Sequence, residues 1–213
     1  MKPRGKPIKW SPEIAYVVGL ITTDGCLSND GRHIIMRSSD VPQLKTFKRC
    51  LQISNKISRT KNDGWAKKPA YRVQFGNIIL YKWLLSIGLM PNKTKRIEAL
   101  KIPNQYFFDF LRGHLDGDGC IRKYQDPIYP NSQRLYIYFD SASLKYLQWL
   151  QKRIKYLLDV NGYLRRTRSI FRLTYAKRES LKILPKIYPN PNVPCLKRKY
   201  RKVQSVLETK PKW

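Results

Sequence analysis

The chain has 213 residues, 43 of them lysine or arginine and 14 aspartate or glutamate, giving a formal charge of +29. With 42% hydrophobic and 12% aromatic residues it can bury a core, which excludes intrinsic disorder. No apolar run approaches the roughly 18 residues of a membrane span, and the charge calls for an anionic partner, with nucleic acid the leading expectation.

Residues 1–10 read as a basic arm with no apolar signal stretch behind it, so an intracellular protein is expected, in the cytoplasm of a prokaryote or in an organelle matrix. A first half is expected over 11–101. Ser11 can cap a helix, Pro12 suits its first turn and Glu13 favours its positive end. That helix runs through IAYVVGLITTD and is expected to close at Gly25. IIMRSSD (34–40) precedes a helical period at Leu44, Phe47 and Leu51. KISRTK (56–61) follows, and then YRVQF (71–75), where Tyr71, Val73 and Phe75 alternate with Arg72 and Gln74 ahead of an apolar helical stretch.

A second half, 102–208, repeats this order before a short tail at 209–213. YVVGLITTDGCL (16–27) matches FLRGHLDGDGCI (110–121) at a constant offset of 94, which places Gly19 on Gly113, Asp24 on Asp118 and Cys26 on Cys120. IYFDSAS (137–143) answers IIMRSSD, YLRRTR (163–168) answers KISRTK and FRLTY (171–175) answers YRVQF. NKTKRIEAL (92–100) is matched to LKRKYRKVQ (196–204), which pairs Lys93 with Lys197. Each half thus reads as αββαββα, an α+β fold of two pseudo-symmetric halves. The wet strand faces carry Arg, Gln, Thr and Tyr.

Glycine inside a helix costs about 1 kcal/mol against alanine. Its recurrence at Gly19 and Gly113 predicts two backbones in close approach. Asp24 and Asp118 each end an apolar helix just before a glycine, where the helix dipole disfavours a carboxylate unless a cation joins it. Packed helices would bring both acids together as an all-oxygen site suited to Mg²⁺. Two such ions could stabilise the attacking and leaving oxygens of a phosphodiester displacement. The four scattered cysteines (Cys26, Cys50, Cys120, Cys195) contain no C-x-x-C pair and are expected to be buried free thiols. With only two histidines, a zinc site is not expected.

VVGLITTDG (17–25) and LRGHLDGDG (111–119) resemble the two signature motifs of the LAGLIDADG homing endonucleases, in the monomeric two-motif form, over about residues 11–208. The resemblance implies motif helices packed at the centre and two antiparallel sheets forming a saddle in the DNA major groove. It implies metal binding by Asp24 and Asp118, with the backbone of Gly25 and Gly119 as further ligands. It also places a basic residue from each half at the active site just before the last helix, here Lys93 and Lys197, and a solvent-ordering polar residue after the second strand, here Asp40 and Ser143. Mg²⁺ is the implied cofactor; Mn²⁺ is expected to substitute, and Ca²⁺ to support binding without cleavage. Thr22 stands where the family motif has an earlier acid, which Asp116 retains, so the two sites are unequal and a long non-palindromic target is expected.

Expected DNA contacts are Ser28, Arg37, Arg72 and Gln74 in the first half, and Arg122, Tyr124, Arg134, Tyr136, Tyr138, Arg172 and Thr174 in the second. Arg59, Lys61, Arg166 and Arg168 join them with strand parity unassigned. The function implied is a site-specific double-strand DNA endonuclease of intron-encoded kind. A non-cleaving nucleic-acid binder on the same fold, an RNA maturase or a transcription factor, is the alternative.

Overall fold

The Ser11 hydroxyl accepts from the Ile14 amide at 3.2 Å and starts α1 (Pro12–Asp24). Residues 15–22 of this helix are buried on every side, as expected of a helix apolar all round at the centre of a molecule. A computed structural model describes residues 7–60 and 69–208. Lys61, the outer part of the expected arm and the tail 209–213 lie outside these residues.

Chain order continues with β1 (Gly25–Leu27), β2 (His33–Ser38), α2 (Val41–Leu51), β3 (Ile57–Arg59), β4 (Tyr71–Gly76) and α3 (Ile78–Ser86). The second copy is α4 (Phe107–Asp116), β5 (Cys120–Gln125), β6 (Gln133–Ser141), α5 (Leu144–Leu158), β7 (Tyr163–Arg166), β8 (Phe171–Tyr175) and α6 (Lys177–Ile187), with α7 (Lys197–Leu207) added. The strands form two antiparallel four-stranded sheets of identical order, β1-β2-β4-β3 and β5-β6-β8-β7. Ile34, Met36, Val73 and Phe75 bury one face of the first sheet; Leu135, Ile137, Phe139, Leu173 and Tyr175 do the same in the second. Among the described residues no helix is long and apolar enough to cross a membrane.

The halves meet along α1 and α4. A Cβ built on Gly19 would fall against the Phe110 carbonyl and 2.7 Å from the His114 nitrogen, and one on Gly113 would strike the Tyr16 carbonyl. The repeated glycines therefore let two backbones touch. Asp116 fastens the same seam from within. Its buried carboxylate accepts from Tyr16 Oη at 2.9 Å, Tyr188 Oη at 2.6 Å and the Leu196 amide at 2.6 Å. Three donors satisfy a charge that burial otherwise penalises. Thr22, at the matching place in α1, turns its hydroxyl back onto the Val18 carbonyl at 2.7 Å. Buried Arg112 holds the segment between α6 and α7, donating to the carbonyls of Ile187 and Pro194 at 2.8 Å each.

Two expectations need correction, while Gly25 closes α1 as expected: its φ is −90° and ψ 160°, so the chain passes directly into β1. Glycine is needed there because a Cβ would lie 2.6 Å from Ile21 Cα. The second motif helix ends at Asp116, and Asp118 stands in the turn after it. Of the four free cysteines only Cys195 is buried; Cys26 and Cys120 are exposed at the starts of their sheets.

Candidate active site and nucleic-acid face

The packed helices end side by side. A Cβ on Gly117 would strike Thr23 Oγ1 and lie 3.0 Å from Asp24 Oδ2, so the turn carrying Asp118 rests on the end of α1. Asp24 is half-buried, and its carboxyl is pushed up to about 7, first by burial and next by the charge of Asp118, against the pull of Lys199 and Lys93. Asp118 is more open, yet its carboxyl is also raised, by desolvation first, with Lys93 and Lys199 opposing and Asp140 adding to the rise. The repeat thus delivers two acids with elevated proton affinity to one cleft, the condition in which a cation is held well.

Two buried lysines face these acids. Lys93 lies in a short 3-10 turn (Lys93–Lys95), and its ammonium donates to the Gly25 carbonyl. Lys199, on α7, donates to the carbonyls of Leu115, Asp116 at 3.0 Å, Gly117 at 3.3 Å and Gly119 at 2.7 Å. The equivalents are therefore Lys93 and Lys199. Lys197 is exposed, donates to the Pro191 carbonyl at 2.8 Å and does not enter the cleft. The sequence does hold a signal for this. Lys199 shares the inward helical spacing of Val203 and Val206, whereas Lys197 lies off that stripe. Burial lowers the proton affinity of both buried ammonium groups.

The polar pair expected after the second strands separates. Asp40 stays near the cleft, where its charge contributes to raising Asp24, and it is paired with Arg198 at 2.7 Å. Ser143 is buried instead: its hydroxyl donates to the Ile97 carbonyl and accepts from the Tyr146 amide at 3.3 Å, capping α5 rather than ordering solvent. Asp140 takes the cleft position, lining one depression with Lys93, Thr23, His114, Asp118 and Tyr146. Its counterpart in register is Arg37, so a search for matching residues could not find it.

Among the described residues no three or more His, Cys, Asp or Glu side chains cluster to cage a metal. Two carboxylates open to solvent still fit Mg²⁺, which keeps several waters and takes its remaining ligands from substrate phosphates. The carbonyls of Gly25 and Gly119 each accept from a lysine ammonium, a positive charge that competes with a metal ion for the same oxygen.

Strand register settles the outer faces. Arg37 lies opposite Arg72, and Gln74 shares their side. Ser28 lies just past β1, its carbonyl accepting from Tyr81 Oη at 2.5 Å. On the second sheet Arg122, Tyr124, Arg134, Tyr136, Tyr138, Arg172 and Thr174 all point outward. Two of these arginines are already engaged: Arg172 forks onto Asp140 with two bonds of 2.7 Å, and Arg134 pairs with Asp126. Arg59 and Arg166 lie opposite Tyr71 and Phe171, on the helix-covered side, while Arg168 is in the β7–β8 turn. Ser58 and Arg165 occupy the outward places beside Arg72 and Arg172.

The family profile of the LAGLIDADG-like domain matches residues 107–187. No curated protein matches the chain by sequence. Among solved structures, the LAGLIDADG meganuclease I-AabMI bound to uncleaved DNA is 14% identical with a TM-score of 0.63, over 93% of this chain and 90% of that one. The homing endonuclease I-WcaI bound to its DNA recognition sequence is 12% identical with a TM-score of 0.62, over 90% and 88%. Full-length DUF199/WhiA from Thermatoga maritima is 17% identical with a TM-score of 0.58; the match covers 97% of this chain but only 62% of that one. Residues 107–187 thus match the LAGLIDADG-like domain, and the whole chain has the two-half fold seen in LAGLIDADG homing endonucleases.

Proposed function

We propose that the protein is a site-specific double-strand DNA endonuclease that hydrolyses phosphodiester bonds at a long non-palindromic target with Mg²⁺. The observation that carries this reading is the convergence of Asp24, at the end of α1, with Asp118, in the turn after α4, beside the seam where the two helices pack through Gly19 and Gly113. A purely structural turn does not account for two half-desolvated acids whose proton affinity is raised where the dipoles of two helix ends already disfavour negative charge. Divalent ions held by Asp24 and Asp118 would supply charge stabilisation to the attacking and leaving oxygens. Lys93 holds a positive charge over the Asp118 side of the cleft and can donate to a phosphoryl oxygen as negative charge develops on it. Lys199 neutralises the carbonyls at the end of α4, which keeps that helix end compatible with an incoming phosphate. The outward faces of the two sheets supply the duplex-binding surface, with Arg37, Arg72 and Gln74 on one and Arg122 and Arg165 on the other.

The fold is also that of DUF199/WhiA, so cleavage rests on the site residues rather than on architecture. The test is selection of cleaved sequences from a random duplex library in Mg²⁺, with Ca²⁺ as a binding-only arm. Asp24→Asn and Asp118→Asn are each expected to abolish double-strand cleavage of the selected target while retaining binding in Ca²⁺. Cleavage at the normal rate by both variants would falsify the active-site assignment. A selected site that is bound but never cut by the wild-type chain would favour the non-cleaving binder.

A further inference from the structure

The outer face of the second sheet carries a row of aromatic rings that has no counterpart among the described residues of the first sheet. Tyr136 stands between Tyr124 and Tyr138, its ring centroid 6.2 Å from the first at 22° and 5.9 Å from the second at 12°. Guanidinium groups cover both ends of the row: Arg122 Cζ lies 5.4 Å from the Tyr124 centroid, and Arg172 Cζ lies 4.8 Å from that of Tyr138. In the first sheet Met36 pairs with Val73 as Phe139 pairs with Leu173, so Ile35 and His33 stand where the second sheet has Tyr138 and Tyr136. His33 is there bound to Asp30, its Nδ1 2.5 Å from Oδ2.

The stacking restricts what this surface can contact. With planes within 22° and centroids about 6 Å apart the rings are offset-parallel, each face partly covered by a neighbouring ring or an arginine, so ring edges and hydroxyls are prominent in what a partner meets. Unpaired bases bind such proteins by stacking on free aromatic faces, and this row offers only partly open ones. A duplex groove presents base edges instead. There thymine shows an O4 acceptor beside a 5-methyl group, whereas cytosine shows an amino donor and no methyl. A tyrosine edge presents a hydroxyl donor beside an apolar ring, which complements thymine on both counts. Two of the arginines on the same face, Arg134 and Arg172, are committed to Asp126 and Asp140 and so are poorly placed to seek guanine.

We infer that the second sheet reads thymine-bearing base pairs through the edges of Tyr124, Tyr136 and Tyr138, so that thymine methyl groups help define the half-site it covers. This inference rests on the protein being a duplex-DNA nuclease, and it adds a specificity determinant confined to one half of the target. The experiment uses the full chain, the selected target and Ca²⁺, replacing thymine by deoxyuridine in one half-site at a time. This substitution removes a methyl group and leaves base pairing and O4 in place. In the half-site under the second sheet, affinity is expected to fall about fourfold per contacted thymine, the worth of one buried carbon of this size. In the other half-site the change is expected to stay under about twofold, since Ile35 is the one aliphatic side chain that the described strands of the first sheet set on that face. Tyr136→Ala should weaken binding of the thymine-bearing target and remove most of its sensitivity to deoxyuridine. Equal sensitivity in the two half-sites, or a selected second half-site without thymine, overturns the inference while leaving the nuclease reading intact. Absence of any duplex target, or tighter binding of single-stranded RNA than of duplex, overturns both.

Discussion

Lys93 and Lys199 each place a buried ammonium against the carbonyl of the glycine next to a motif aspartate, Lys93 on Gly25 and Lys199 on Gly119. The two are not equally occupied. Lys199 also donates to the carbonyls of Leu115, Asp116 and Gly117, so its hydrogens are spent on closing the end of α4. Lys93 holds Gly25 and otherwise faces the depression that contains Asp118 and Asp140. One lysine has become mainly a helix-end cation, and the other keeps donors for a substrate.

Replacing each lysine by methionine should therefore separate stability from chemistry. A charged hydrogen bond contributes about 1.5–3 kcal/mol, so the loss of even one in Lys199→Met should lower Tm by roughly 3–12 °C in a chain of this size. Lys93→Met should melt closer to the wild type yet slow cleavage by about 10²-fold, the usual loss for one donor aimed at developing charge. Single-turnover reactions with each DNA strand labelled separately should show the slowing mainly on one strand, with nicked product accumulating. Equal slowing of both strands by Lys93→Met would contradict a division of labour between the lysines.

The glycines at the seam make a second, graded test. A methyl group on Gly19 or Gly113 meets backbone of the opposing helix, which cannot swing aside. Gly19→Ala and Gly113→Ala should each cost about 3 kcal/mol or more, the upper range for overpacking. Gly117→Ala meets the Thr23 side chain and Asp24 Oδ2, which can shift. It should cost nearer 1 kcal/mol, the lower end of that range, while reducing cleavage because the displaced group is a motif acid. Chemical denaturation of the three variants, compared with their Mg²⁺-dependent cleavage rates, measures both effects. A fully active Gly117→Ala would show that the contact with Asp24 does not position it.

The central part of this arrangement is legible in the sequence, because the repeat runs through packed helices where no insertion can be absorbed. Gly19 and Gly113 keep one offset for that reason, and Asp24 and Asp118 keep it too although α1 runs to Asp24 and α4 gives way to a turn after Asp116. Legibility fails where the two halves solved the same problem with different local structure. Lys93 is carried by a 3-10 turn and Lys199 by the first turn of an α-helix, so aligning the basic runs of the two segments slips by two residues onto Lys197. The edge strands β3 and β7 are three and four residues long, too short for alternation to say which of Arg165 and Arg166 faces outward. Asp140 is hidden for another reason: pseudo-symmetry predicts a like residue, and the first half has Arg37 there. Ser143 matches Asp40 in sequence position, but a hydroxyl next to the Ile97 carbonyl is drawn into the core.

His114 occupies the place of Leu20 and has a cost that depends on pH. It is 1% exposed, its ring stacks on Tyr146 with centroids 5.5 Å apart, and its Nδ1 is buried without a hydrogen-bond partner. Burial above all, and then the charge of Lys199, depress its pKa to about 3. Below the unfolded value near 6.5 the unfolded chain takes up a proton that the folded chain refuses, so this group destabilises the fold progressively as pH falls toward 3. His114→Leu should remove that slope. The variant should gain roughly 2 kcal/mol over wild type at pH 4.5 and much less at pH 7.5. Urea denaturation at the two pH values gives the difference, and a pH-independent gap would mean that the imidazole is not held neutral.

Asp24 should show the opposite slope, and a metal ion should reverse it. Its folded-state value of about 7 lies above the model-peptide value of 3.8, chiefly through burial and then the charge of Asp118. A carboxyl raised in this way contributes most to stability below 3.8, and that contribution is lost as pH rises through 7. In metal-free protein, Asp24→Asn should therefore be more stable than wild type at pH 8 and lose that advantage by pH 4. A divalent cation binds the ionised form, so Ca²⁺ should raise the wild-type Tm more at pH 8 than at pH 6. The Ca²⁺ effect should be largely absent in Asp24→Asn, whose amide cannot supply the charge. Thermal melts of both proteins with and without Ca²⁺ across this range need no DNA and no cleavage, so they test the carboxylate pair independently of the target. A wild-type protein whose Tm ignores Ca²⁺ at pH 8 would show that Asp24 and Asp118 do not bind a cation unless the phosphate of a substrate is already in the cleft.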